Sequence, residues 1–217
     1  MTSQTDLAAL LCSRLCHDLL SPVGALSNGI ELLADEEDPE MRARCVELLE
    51  ASAKISTDKL KFFRLAFGAA GGFGDSVPIE ETQEVIGSLA GDAKKIEINW
   101  AAAESTLPKP ATKVLLNLAQ IALDALVRGG TLDLGAERLN GNVEIVARAT
   151  GPRIAFDETI GRALQAELVP GELSSRTAAA HMIALLAEEL GGGLQYRVTD
   201  EALVLGAVIP EPEGMIG

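Results

Sequence analysis

The residues with the widest chemical reach in this 217-residue chain are two histidines, His17 and His181, and three cysteines, Cys12, Cys16 and Cys45. An imidazole can exchange a proton near neutral pH, attack as a nucleophile or ligate a metal. His17 stands in SRLCHDLLSPVGALSNGIELL, where apolar residues recur at three- and four-residue steps, as on one face of a helix. Placed on that helix, Leu15, Leu19, Leu26, Ile30 and Leu33 form one stripe and His17 falls on the opposite side. Its ring is expected to point to water. Ser13, Arg14, Leu20, Ser21, Gly24 and Asn28 share that side, with Asp18 and Ala25 at its margins. Apart from Arg14 and Leu20 these are short, so another folded protein can come within bonding distance of the ring. Pro22 lies inside the same helix, where it removes an amide donor and leaves the carbonyl of Asp18 without its usual partner, at a cost on the order of 3 kcal/mol. An irregular helix beside an exposed histidine points to function over stability. Spacing alone leaves an ordinary surface histidine equally open.

The other candidates carry less. Cys12 and Cys16, at i and i+4 beside His17, are zinc-ligating types. Helical angles turn Cys12 toward the core and His17 away from it, so the cysteines are expected to be small apolar core residues, and no metal site is expected. His181, in AAAHMIALLAEEL, is expected to be partly buried with its hydrogen bonds satisfied. The glycines around Gly71 and Gly191 lack the Lys-Ser/Thr or GxGxxG context of a phosphate cradle and read as linker and helix cap.

The elements that must position His17 follow from periodicity. Residues from Thr5 to Asp35 read as one long helix. Asp38 before Pro39 is an N-cap with a first-turn proline, and it opens a second helix to Phe67 with Met41, Cys45, Leu48, Leu49, Ile55, Leu60 and Phe63 on its apolar side. This helical hairpin has two long apolar faces and no third element of its own to cover them. A second copy would bury both as a four-helix bundle, which predicts a homodimer. Residues 68–76, rich in glycine, read as a linker. Beyond it the spacing predicts a helix over Ile79–Ala90, the strand KKIEINW, and a helix over Leu107–Val127 opened by Pro108 and Pro110. The strands TLDLGAE and VEIVARA are joined at Asn140-Gly141. Helices over Asp157–Leu168 and Ser175–Leu190 precede the final strands LQYRV and ALVLGAVI. The expected fold class is therefore α+β, divided into a helical hairpin (1–67), a linker (68–76) and an α/β sandwich with helices over one face of a mixed sheet (77–217).

Composition narrows the partners. Hydrophobic residues make up 47% of the chain and aromatics 3%, so cores must be aliphatic. The formal net charge of −14, without a dense Lys/Arg block, opposes direct binding to nucleic acid or an anionic membrane. The N-terminus lacks the basic region and cleavage site of a signal peptide, and no uninterrupted apolar run of about 18 residues is present. Three cysteines, an odd number, give no disulfide framework. The cytoplasm is the expected compartment.

His17, Asp18 and Pro22, in the order His, acid and proline, resemble the H-box of sensor histidine kinases, and hairpin, linker and α/β domain follow in the kinase order. The nucleotide motifs do not survive. LLNLAQIALDAL keeps Asn117 and Leu118 of the N-L-x-x-N-A pattern but has Ile121 where the magnesium-holding Asn belongs, and an aliphatic side chain offers no oxygen to a hard cation. In ATGPRI, Ala149 stands at the adenine-reading Asp and Arg153 replaces a glycine. The G-L-G-L lid motif has no counterpart. The chain is similar to the ChpT family of alphaproteobacterial histidine phosphotransferases, which join a dimeric phosphoacceptor bundle to a degenerate kinase ATPase-like domain of the Bergerat type.

That resemblance implies a phosphorelay: His17 accepts a phosphoryl group from a receiver Asp and passes it to another. Asp18 would accept the other ring N–H or orient the ring, and Arg14 would pair with phosphoryl oxygens or a receiver carboxylate. Leu20, Ser21, Gly24 and Asn28 would dock the receiver, Ser21 standing where two-way kinases carry Thr or Asn. The implied donor is the receiver of a CckA-like hybrid kinase, and the acceptors are CtrA-like and CpdR-like response regulators. No cofactor of the chain's own is implied: Mg²⁺ would come with the receiver, and neither ATP binding nor autophosphorylation is expected. The alternative is a noncatalytic pseudokinase scaffold that binds receivers or a kinase.

Overall fold

A computed structural model describes residues 3–68, 75–91, 95–102, 104–169 and 171–211. Helix α1 spans Gln4–Asp35 and α2 spans Pro39–Phe67, with Pro22 inside α1. Ser3 and Asp6 close α1 with a reciprocal capping box. Asp38 accepts the Glu40 amide and Pro39 occupies the first turn of α2, as the sequence expects. The two helices pack as an antiparallel hairpin.

The rest of the chain runs β1 (Ser76–Pro78), α3 (Ile79–Ala90), β2 (Ile96–Ala102), β3 (Thr106–Pro108), α4 (Lys109–Ala125), β4 (Gly130–Leu139), β5 (Asn142–Thr150), α5 (Glu158–Leu164), α6 (Ala178–Glu189), β6 (Gly193–Val198) and β7 (Ala202–Pro210). Five strands form a sheet in the order β2-β4-β5-β7-β6, parallel only at β2–β4. Asn140 and Gly141, both at positive φ, make the β4–β5 turn. Along β5, Val143, Ile145, Ala147 and Ala149 are buried and alternate with Glu144, Val146 and Arg148 on the open face. One face therefore carries the helices and the other faces solvent.

Helix α4 is the hub. Twelve of its residues are buried, among them Val114, Leu115, Leu116, Leu118 and Ala122. It packs on β5 and β7 and meets α2, α3 and α6 on its other sides. The end of α2 is anchored there: Phe62, Phe63, Leu65 and Ala66 are buried, and Phe62, Phe63 and Phe67 form a ring cluster with centroids 5.6–5.9 Å apart. Arg64 adds an ion pair to Glu81 of α3 at 3.0 Å. The hairpin is thus packed onto the sheet half.

Several expectations need correction. β1 pairs with β3, so Leu107 lies in a short strand and not in α4. Helix α5 stops at Leu164, ahead of a left-handed Ala166 at φ 56°. α6 begins at Ala178 because Thr177 Oγ1 donates to the Glu172 carbonyl and accepts the Ser174 amide, holding residues 174–177 as a turn. Cys12 and Cys16 are exposed, and of the three cysteines only Cys45 is buried: α2 covers the strip of α1 bearing Leu15, Pro22 and Leu26, and the cysteines lie just past it. Ile30 likewise stands exposed with Val23. Most of the expected linker, 69–74, lies outside the described residues.

Candidate functional site

His17 projects from the open side of α1 with its side chain 87% exposed. Leu20, Ser21, Gly24 and Asn28 are exposed on the same side, and among the described residues nothing beyond the local helix backbone lies within 4 Å of where a Cβ on Gly24 would be. Sequence periodicity expects this open, short-chained patch. Arg14 and Asp18 sit one step around the helix, less exposed, and face a cleft. Asp18 is the centre of the local network. Its Oδ1 is 3.2 Å from His17 Nδ1, and its Oδ2 is 3.9 Å from Arg14 Nε. With the proton on Nδ1, the ring donates to the carboxylate and Nε2 keeps its lone pair toward solvent.

The backbone of Asp18 carries a third contact. Pro22 deprives its carbonyl of the normal helical donor, and Lys59 Nζ, reaching across from α2, donates to that oxygen at 2.8 Å. Sequence reasoning finds the orphaned carbonyl but not the lysine. The missing donor is the only signal, and it does not say which residue on a helix 41 positions away supplies it.

Arg14, His17, Asp18 and Lys59 line one wall of a cleft of about 800 Å³. The facing wall comes from α4 with Gln120, Ile121 and Asp124, from the approach to α5 with Phe156 and Asp157, and from the turn before α6 with Ser175 and Arg176. Gln120 donates to Asp124 at 2.9 Å. Asp157 accepts from the hydroxyl and amide of Thr159, which hold its carboxyl below the usual range, and Arg176 at 3.8 Å adds to the effect. Nothing in the spacing of these residues points to the cleft; the chain brings them there only through the packing of α2 against α4.

The residues at the kinase-motif positions are turned to other uses. Asn117 is buried and donates its side-chain amide to the Lys113 carbonyl one turn back in α4. Ile121 is buried in the facing wall of the cleft, Ala149 is fully buried in the sheet, and Arg153 is exposed. Asn117 and Ile121 of α4 and Ala149 of β5 thus belong to the buried interior.

Comparison with known proteins places this architecture. Residues 79–202 match the histidine phosphotransferase C-terminal domain family. The protein phosphotransferase ChpT of Brucella abortus (strain 2308) is 37% identical, over 94% of this chain and 96% of its own. The chain belongs to the histidine phosphotransferase family. The structure of a bacterial phosphotransferase, 33% identical, superposes with a TM-score of 0.81 over 95% of this chain and 98% of its own. The likeness therefore extends through the hairpin as well as the sheet half, and the chain is a phosphotransferase by family.

Among the described residues no group of three or more His, Cys, Asp or Glu side chains could hold a metal ion, and no helix is long and apolar enough to cross a membrane. His181 departs from expectation. It is partly buried, but its Nδ1 is enclosed without a hydrogen-bond partner among the described residues, and burial pushes its pKa below the usual histidine value.

Proposed function

We propose that this phosphotransferase relays phosphoryl groups between receiver domains through His17. The observation that carries the reading is the exposed imidazole whose Nδ1 meets the Asp18 carboxylate, leaving Nε2 open on a face of short side chains. In the forward half-reaction, the Nε2 lone pair forms the N–P bond to an aspartyl phosphate. The acyl phosphate P–O bond breaks, and its electron pair leaves with the receiver carboxylate. Asp18 holds the Nδ1 proton and steadies the positive charge that the ring gains on attack. The return half-reaction runs the same bonds backward onto a second receiver. In-line placement and charge neutralisation dominate such transfers. Arg14, beside Asp18, would pair with phosphoryl oxygens or a receiver carboxylate. Leu20, Ser21, Gly24 and Asn28 form the docking face.

In this reading the donor is the receiver of a CckA-like hybrid kinase and the acceptors are CtrA-like and CpdR-like regulators, each bringing its own Mg²⁺. The chain itself uses neither metal nor ATP. It works as a homodimer of the hairpin, supported by the exposed apolar residues of both helices, and in the cytoplasm. As domains, 1–67 carries transfer and dimerisation, and 77–217 is the degenerate ATPase-like support.

The test is incubation of the purified chain with a radiolabelled phospho-receiver, separation, and addition of a second receiver. Label should move onto the chain and off again, and His17→Gln should lower transfer at least ~10³-fold, since it removes the nucleophile altogether. Transfer retained by His17→Gln would overturn the proposal, and binding of the receiver without transfer by the native chain would favour the scaffold.

A further inference from the structure

The cleft wall beside His17 contains one cation whose task concerns the backbone. Pro22 cannot donate to the Asp18 carbonyl, and this peptide joins the residue that contacts His17 Nδ1 to the next turn of α1. Lys59 Nζ donates to the same carbonyl at 2.8 Å from the neighbouring helix. Arg14 is occupied with the Asp18 side chain instead. One aspartate is thus held at three points: its carboxylate by Arg14 and His17, and its backbone oxygen by Lys59.

We propose that Lys59 is a positioning residue for phosphoryl transfer. It supplies the hydrogen bond that Pro22 withholds, fixes the Asp18 peptide relative to α2, and so fixes the carboxylate that orients the His17 ring. The proposal rests on the reading of His17 as phosphoryl acceptor. Its consequence is a specific coupling between two residues far apart in sequence. Lys59 is needed because position 22 is proline, and a residue with an amide at position 22 relieves that need.

The experiment is a double-mutant cycle on the full chain, with single-turnover transfer from a phospho-receiver followed as a function of receiver concentration. Lys59→Met keeps the length of the stem and removes the donor. It should slow transfer at saturating receiver by about tenfold, the equivalent of one lost hydrogen bond to a charged donor, with half-saturation unchanged. Lys59→Arg keeps a donor and should stay within about twofold of the native rate on the same scale. Pro22→Ala restores the 22-to-18 backbone bond, and the Pro22→Ala/Lys59→Met double variant should recover to within about threefold of Pro22→Ala alone. Thermal unfolding of each variant controls for folding. Three results would overturn the proposal: a native rate in Lys59→Met, a defect that Pro22→Ala does not relieve, or a raised half-saturation at native maximal rate, which would make Lys59 a docking residue. If the native chain takes no label at all, the acceptor reading itself fails. That result is distinct from all three.

Discussion

The two halves of the molecule use the same aliphatic side chains and end in opposite states. In the sheet half, α4 lies between the strands and three other helices, and Leu115, Leu116, Leu118, Ile183, Leu203 and Leu205 are essentially inaccessible. In the hairpin, Leu20, Val23, Ile30 and Leu32 of α1 and Met41, Val46, Leu48, Ile55 and Leu60 of α2 are exposed, Leu48 by 65%. Whether the chain supplies its own covering layer makes the difference. The sheet half buries most of its aliphatic side chains in a single copy, leaving Val146 and Val208 exposed on its open face. The hairpin leaves a seam in which Met41, Leu48 and Ile55 recur every seven residues, the spacing of a helix packed along another helix. On α1 the exposed Val23 and Ile30 point more than about 100° away from His17 at ordinary helical steps. A partner copy can therefore cover them and leave the imidazole open. The exposed imidazole of His17 lies on the half whose apolar surface is left open.

The strongest way to sharpen this contrast is to cut one leucine from each half. Leu115→Ala, in the hub helix, should destabilise the chain by about 2–5 kcal/mol, the usual cost of a buried Leu→Ala cavity. Urea unfolding measures it. A loss below about 1 kcal/mol would mean that the core around α4 can collapse into the space. Leu48→Glu should barely alter the unfolding of the sheet half, because its side chain is mostly exposed in one copy. It should weaken dimerisation about a hundredfold, since a carboxylate would be buried without a partner. Sedimentation at several protein concentrations reads this directly. An unchanged mass for Leu48→Glu, or a native chain that is monomeric throughout, would break the contrast.

The long elements were legible in the sequence because their signals are local. Asp38-Pro39 opens α2 and Asn140-Gly141 turns β4 into β5 as expected. The exposed side of α1 bearing His17, Leu20, Ser21, Gly24 and Asn28 follows from the position of the apolar stripe. The placement of Cys12 did not, because its angle falls at the edge of the stripe, where a shift of one residue width decides between buried and exposed. The β1–β3 pair escaped because two three-residue strands carry no period. The far wall of the cleft, with Gln120, Asp124, Phe156, Asp157 and Arg176, escaped for a different reason. It depends on how α2 docks on α4, and neither helix records that in its own pattern. Lys59 is intermediate: Pro22 announces an orphaned carbonyl, and only the packing of α1 on α2 names the donor.

The smallest expected effect separates the two histidines. His17 is open to solvent, while His181 in α6 has an enclosed Nδ1 without a partner among the described residues, and desolvation lowers its pKa from the ordinary value. In the unfolded chain His181 titrates near the ordinary histidine value of 6.5. Below that pH the unfolded chain takes up a proton that the folded one still refuses, so stability is full above it and declines as pH falls toward the lower folded value. Asp157 and Glu172, whose pKa values are also lowered in the fold from 3.8 and 4.5, are ionised in both states in this range and add no slope. Urea midpoints measured between about pH 7.5 and 5.5, spanning the histidine value, should fall for the native chain. They should fall less for His181→Phe. An identical decline in native and His181→Phe proteins would mean that the buried ring nitrogen finds a partner in solution, and that the sheet half is less tightly closed around α6 than its packing implies.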